Sequence, residues 1–339
     1  MRRYGKHTDE EDIRVRPGRK GSRPRTSIRP KHEDASDGFV LTVDRGRLTC
    51  LVEDRIITAM KARELGRKAV VVGDHVGIVG DLSGDKDTLA RIVRVEKRAS
   101  VLRRTADDDD PYERVVVANA DQLAIVTALA DPPPRPRLID RCLVAAYDAG
   151  LEPLLVLTKS DLASAETLLE TYEPLGVPFV VTNREELRDG AAADRVRERL
   201  NGRITAFVGH SGVGKTTLVN ALVPERQRAT GVVNAVTGRG RHTTTSALAL
   251  PLPGSEGSDG GWVIDTPGVR SFGLHHVDPS RVINAFPDLV PGTAECPRAC
   301  SHDEKDCALD AWVAEGHADP ARLFSLRRLL ATRERREGD

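Results

Sequence analysis

The run Gly209-His210-Ser211-Gly212-Val213-Gly214-Lys215-Thr216 has the residue types and spacing to hold a polyphosphate. Its glycines let the backbone wrap closely round phosphate oxygens, while amide groups and a helix start supply partial positive charge. Lys215 would reach the β- and γ-phosphates and the Thr216 hydroxyl would coordinate Mg²⁺, with Thr217 next in the nucleotide-contacting run. The context agrees, since ITAFV before it reads as a strand and TTLVNALV after it as a helix. Fifty residues beyond Lys215, Asp265-Thr266-Pro267-Gly268 closes another apolar strand. A carboxylate there suits the magnesium shell, and the Gly268 N–H could sense a γ-phosphate.

A third motif, Thr158-Lys159-Ser160-Asp161, follows the apolar run LEPLLVL. Asp161 can accept two hydrogen bonds from the N1 and N2 groups of guanine, which adenine does not offer, and the Lys159 stem can lie along the base. Thr158 stands where an Asn is usual, and Val181-Thr182-Asn183 sits where a loop would back the base. If all three motifs serve one nucleotide, the base-reading motif precedes the phosphate loop. On that condition, the order is that of a circularly permuted GTPase. The polar stretch GVVNAVTGRGRHTTT (231–245) is a natural switch loop, with Thr243 or Thr244 able to meet Mg²⁺ and the γ-phosphate. Val269 follows Gly268 and cannot orient an attacking water, so His242 or a group from a partner would have to.

Cys296, Cys300, His302 and Cys307 supply three thiolates and one imidazole within twelve residues, the complement of a closed structural zinc site. With all four positions filled, none is left for a catalytic water. Such a site would nucleate a small helical region with little core of its own. Cys50, in a strand-like run, and Cys142, on the apolar face of a helix, read as inert core thiols.

Strands and helices must carry these groups. Residues 38–103 contain five short β-rich segments, which fit a small barrel. The acidic run 107–110 before Pro111 reads as a linker. From about residue 113 apolar strands alternate with amphipathic helices, the pattern of a parallel sheet covered on both faces. SALALPLP and GWVIDTPG read as an edge hairpin across the loop GSEGSDGG. Beyond about residue 276 the chain is helical and polar.

Lys+Arg and Asp+Glu both number 51 in 339 residues, so net charge points to no partner. Residues 13–31 hold eight basic residues and no acid among Pro, Gly and Ser, so residues 1–37 are expected to be a disordered arm, either solubilising or contacting nucleic acid. The sequence shows no bilayer-length apolar run and no apolar signal-peptide core, so a cytoplasmic location is expected.

With VGDHV (72–76), ANADQLAIV (118–126), TKSD, GHSGVGKTTLVNAL, GRGRHTTT, DTPGVRSFGL and the Cys/Cys/His/Cys cluster in this order, the chain resembles the circularly permuted GTPases of the RsgA (YjeQ) family, which depend on the small ribosomal subunit. The resemblance runs from about Gly38 to the C-terminus. It implies a multi-domain α/β protein: an N-terminal OB-fold β-barrel (38–104), a central circularly permuted P-loop GTPase domain with a mostly parallel sheet (113–275), and a C-terminal helical zinc-binding domain (276–339). It also implies GTP and GDP, Mg²⁺ and one structural Zn²⁺ as ligands. Hydrolysis would be weak alone and stimulated by the small subunit during that subunit's late maturation. Nothing suggests more than a monomer, and no membrane is involved. The zinc spacing C-x3-C-x-H-x4-C is one residue shorter in each long gap than the family's usual pattern, so altered loops are expected there. Phe39 is the one aromatic residue of the barrel, so contact with rRNA is expected through Arg and Lys on phosphates. The passage from DTPG through SFGLHH into the zinc domain would carry the γ-phosphate state along a short covalent path. The rival readings are a P-loop ATPase or small-molecule kinase with an accidental TKSD, and a zinc-bearing RNA-binding protein whose nucleotide site is only structural.

Overall fold

A computed structural model of the chain describes residues 32–44, 46–66, 70–85, 87–104, 114–223, 247–254, 260–267, 274, 277–298 and 300–334. Residues 1–31 of the expected arm (1–37), the acidic run 107–110, the switch loop and Gly268 with Val269 lie outside them, as does most of SFGLHH. Ser36 and Asp37, expected in that arm, instead open a strand and pair with Ile78 and Gly77.

The first five strands are β1 (Ser36–Asp44), β2 (Arg47–Val52), β3 (Arg55–Lys61), β4 (His75–Val79) and β5 (Ala90–Val95). All pair antiparallel except β3 with β5, and β4 returns to β1, so the order β1-β2-β3-β5-β4-β1 closes a barrel. Alternation decides which side chains fill it. Val40, Leu48, Cys50, Val52, Ile57, Ile78 and Ile92 form the barrel core. Phe39 and Leu41 point the other way from β1, into the main core of the molecule. That double burial is why β1 reads as a continuous apolar run.

Next come β6 (Val101–Arg104) and β7 (Arg114–Ala118), which pair with each other as a separate two-stranded ribbon. Leu102 and Val117 send their side chains into the same main core. The strand that ends the barrel segment in sequence is therefore paired with the strand beyond the acidic run.

The nucleotide-motif half contains β8 (Gln122–Ala128), α1 (Pro136–Ala149), β9 (Glu152–Thr158), α2 (Glu166–Tyr172), β10 (Phe179–Val181), α3 (Arg184–Asp189), α4 (Ala191–Leu200), β11 (Ile204–Gly209), α5 (Lys215–Leu222), β12 (Leu248–Pro251) and β13 (Trp262–Asp265). The strand order is β10-β9-β8-β11-β13-β12, parallel throughout except for β12. Every residue of β8 is buried. Leu123 and Ile125 face α1, while Ala124, Val126 and Ala128 face the α4–α5 side. The expected edge hairpin β12–β13 is not at an edge, because Thr42 of β1 pairs with Leu248 of β12 and joins barrel and sheet into one eleven-stranded sheet.

The C-terminal part holds α6 (Pro279–Ile283), a 3₁₀ turn (Val290–Glu295), α7 (Ala308–Ala314) and α8 (Pro320–Glu334). It has more core than its composition suggests. Leu289, Leu309, Leu323, Leu326 and Leu329 are buried and continuous with the α1 core. Around that seam, Arg322 makes a two-pronged contact with Asp288 and donates to the Pro174 carbonyl at 2.8 Å. Arg328 lies 3.3 Å from Asp140 of α1, whose carboxyl burial pushes up to about 6 against the pull of that guanidinium. Barrel, sheet and C-terminal helices thus form one compact unit, residues 34–339.

Phe39 packs on Trp262 of β13 with ring centroids 5.0 Å apart, at the seam between barrel and sheet. Burial there withdraws the barrel's one aromatic from any base. Phe39→Ala should leave a cavity and lower the stability of the chain by roughly 3 kcal/mol, read as a shift in the urea unfolding curve.

Candidate functional site

Parallel strands end on the same side of a sheet, so β9, β11 and β13 deliver their C-terminal residues to one edge. β11 runs into the glycine-rich turn, and α5 begins at Lys215 after Gly214, which has φ 91°. Gly209 has no room for a side chain, because a Cβ would meet the Val126 carbonyl oxygen at 2.5 Å. Gly212 has φ 84°, a left-handed conformation that glycine adopts without strain. Val213 is buried under the turn, whereas Ser211, Gly212, Thr216 and Thr217 are exposed and His210 is half-buried.

Lys215 is 9 % exposed and its ammonium donates to the Asp265 carboxylate and to the Thr266 carbonyl. Asp265, at the end of β13, is 1 % exposed. The sheet thus joins the phosphate-loop lysine to the first residue of DTPG as a buried ion pair. Thr266, to which the sequence assigned no role, is fully buried and its hydroxyl donates to the Phe207 carbonyl at 2.6 Å, pinning DTPG to the neighbouring strand.

Thr158 ends β9, 3 % exposed, and its hydroxyl donates to the Val213 carbonyl at 2.6 Å, with the Thr127 carbonyl at 3.3 Å. The residue that departs from the usual Asn therefore still ties the TKSD motif to the phosphate loop. A hydroxyl has one proton for this, where an amide would have two. Lys159 takes φ 61° and its ammonium donates to the Asp131 carbonyl, in the loop that follows β8. Ser160 N–H donates to the Thr182 carbonyl at 3.2 Å, which links the motif to the segment after β10. Asn183 accepts from the Glu186 N–H at 2.9 Å and caps α3. Asp161 is exposed at this edge. Neither Asp131 nor Thr127 was legible as a partner, because each acts through a backbone carbonyl that any residue possesses. His242, Thr243, Thr244 and Gly268 lie outside the described residues.

The second cluster lies in the C-terminal part. Ligand atoms of Cys296, Cys300, His302 and Cys307 all fall within 4.8 Å of one another. Cys296 Sγ is 3.7 Å from His302 Nδ1 and 3.9 Å from Cys307 Sγ, and Cys307 Sγ is 4.0 Å from that nitrogen. Zinc–sulfur bonds of about 2.3 Å at tetrahedral angles put sulfurs roughly 3.8 Å apart, so this donor set fits the ion. His302 has φ 66°, and its N–H points at Cys300 Sγ at 3.4 Å. Burial holds the His302 imidazole below its usual range, favouring the neutral ring that a metal requires, and pushes the Cys307 thiol up. Arg327 donates to the His302 carbonyl at 2.7 Å and forks onto Asp310, which braces the ligand loop from α8. The shortened spacings are absorbed without losing a ligand.

Among the described residues, no helix is long and apolar enough to cross a membrane. A family model described as RsgA GTPase matches residues 95–275. A curated relative from Chlorobaculum parvum, a small ribosomal subunit biogenesis GTPase RsgA, is 37% identical over 301 residues, 86% of this chain and 93% of its own length. A protein of the same name from Pseudomonas aeruginosa is 41% identical over 272 residues, 78% of this chain and 76% of its own. Among solved structures, YjeQ from Thermotoga maritima aligns with a TM-score of 0.61 and 26% identity, covering 89% of this chain and 99% of that one. YloQ, a circularly permuted GTPase, aligns with a TM-score of 0.60 at 21% identity, covering 90% and 96%, and speaks for the fold alone.

Two outcomes follow from this geometry. Thr158→Val keeps the shape but strands the Val213 carbonyl, so it should cost about 1–3 kcal/mol in thermal unfolding, and Thr158→Ser should recover much of that. The purified chain should carry one zinc, measured by atomic emission. Cys307→Ser should lose the ion and expose residues 277–334 to proteolysis, and because the thiols must give up protons to bind, zinc affinity should fall as the pH is lowered.

Proposed function

The chain belongs to the RsgA GTPase family and hydrolyses GTP; we propose that it does so on the small ribosomal subunit, which stimulates the reaction, as a factor in that subunit's late maturation. The observation that best supports the GTPase part of this reading is the hydroxyl bond from Thr158 to the Val213 carbonyl, which ties the TKSD motif to the phosphate loop.

The assignments follow. Asp161 reads the guanine edge, the Lys159 stem lies along the base, and Ser160 holds the motif against the Thr182 segment. Backbone amides of residues 209–216 receive the phosphates, and Lys215 meets the β- and γ-phosphates. Asp265, which pairs with that ammonium, and the Thr216 hydroxyl would hold magnesium. Magnesium there would neutralise charge on the phosphates. Gly268 and either Thr243 or Thr244 complete the γ-phosphate sensor, and His242 orients the water that Val269 cannot.

Zinc on Cys296, Cys300, His302 and Cys307 fixes the loop between the 3₁₀ turn and α7, a structural role with no open position. We divide the chain into a barrel segment (38–104), whose last strand β6 pairs outside the barrel with β7, a GTPase domain (113–275) and a zinc domain (276–339). Exposed Arg47, Arg55, Arg63 and Arg91 on the barrel suit rRNA phosphates, which favours charge over stacking in that contact. The protein works as a cytoplasmic monomer.

The decisive assay is GTP turnover with and without purified small subunits, for the native chain and for Asp161→Asn. Stimulation of the native chain by subunits is expected, and the variant should lose GTP but accept xanthosine triphosphate. Equal turnover with and without subunits would sink the partner. A variant that still prefers GTP over xanthosine triphosphate would sink the base-reading role and favour the accidental-motif alternative.

A further inference from the structure

Lys215 is the cation that the phosphate loop itself supplies, and its charge is already matched by Asp265. A second cation lies beside the same loop. Arg135 sits at the N-cap of α1, is exposed, and makes no side-chain hydrogen bond or ion pair among the described residues. It lines one small cleft, mostly apolar, with Pro132, Pro133, Gly209, His210 and Val213, so the residue stands beside the phosphate loop.

The segment that carries Arg135 is held on several sides. Leu129 N–H donates to the Thr158 carbonyl at 2.9 Å, and Lys159 grips the Asp131 carbonyl. Pro132 packs at van der Waals distance from the position a Cβ would take on Gly212. Buried Tyr172 donates its hydroxyl to the Pro136 carbonyl at 3.1 Å, and the first turn of α1 bonds back to the Arg135 carbonyl. Prolines at 132, 133, 134 and 136 fix φ along the run, so little backbone entropy remains to be lost when the side chain engages a ligand. A long side chain with no charge partner among the described residues, carried on a rigid stem beside the phosphate loop, suits an anion.

We propose that Arg135 is a catalytic residue of the GTPase reaction, an intramolecular guanidinium that contacts the γ-phosphoryl group as it is transferred. This rests on the reading of the site as a GTPase centre. In that reaction the water oxygen bonds to the γ-phosphorus while the bond from phosphorus to the β,γ-bridging oxygen breaks. The electron pair stays with GDP, and the water proton leaves with the phosphate. Charge spreads over the γ-oxygens and the bridging oxygen in the transition state, where a fixed cation helps more than in the ground state. Arg135 offers this without a partner protein, which suits a site whose DTPG motif is followed by valine.

The test uses the full chain in single-turnover GTP hydrolysis, with GDP affinity from fluorescence titration and the melting temperature as separate readings. Arg135→Gln should lower turnover on the order of 10- to 100-fold, below the range of a fully desolvated arginine finger because this side chain is exposed. GDP affinity and melting temperature should stay at native values, and Arg135→Lys should recover part of the rate. Unchanged turnover in Arg135→Gln overturns the inference while leaving the GTPase reading intact, and so does a loss of turnover matched by an equal loss of GDP affinity. No turnover by the native chain above the protein-free rate, with or without subunits, would instead remove the GTPase reading itself.

Discussion

Parallel hydrogen bonding of β11 to β8 on one side and β13 on the other sets the rest of this site. Parallel strands present the same end at the same edge whatever their order along the chain. The pairing of Val208 with Ile125 and of Ala206 with Ile264 therefore fixes where the phosphate loop and DTPG meet. β9, paired in turn with β8, brings Thr158 to the same place. A permuted sequence can build the same site because the sheet, and not chain order, positions its residues.

What the permutation changes is what lies on either side. β12 follows the switch segment in sequence and meets barrel strand β1 through Thr42 and Leu248, so the barrel is hydrogen-bonded to the sheet that carries Asp265. On the opposite flank, the helices that follow β13 bury Leu289, Leu323, Leu326 and Leu329 against the α1 core. The barrel is thus continuous with the sheet through β12, and the C-terminal helices with the α1 core.

The buried polar contacts at the site share a logic. Lys215 with Asp265, Thr266 with the Phe207 carbonyl, and Thr158 with the Val213 carbonyl each satisfy a group that would be costly to bury alone. They also form a chain across β13, β11 and β9, so TKSD, phosphate loop and DTPG are cross-braced. The metal cluster is braced in the same manner by Arg327, which links the His302 carbonyl to Asp310.

The motifs were legible because their chemistry is local. A glycine-rich turn between strand and helix, a carboxylate at a strand end and four soft ligands within twelve residues each state their purpose in a short window. Strand and helix alternation likewise gave away the covered parallel sheet, since period and burial are properties of a single segment. Pairing across distance was not legible. That β6 joins β7, that β12 abuts the barrel and that Phe39 meets Trp262 depend on contacts whose partners stand many residues apart. The same holds for the partners of Thr158 and Lys159, because a backbone carbonyl carries no residue label. Sequence by itself supplied the candidate groups for guanine, phosphate and metal. Only the tertiary structure decided how they are tied together, because that depends on which strand lies beside which.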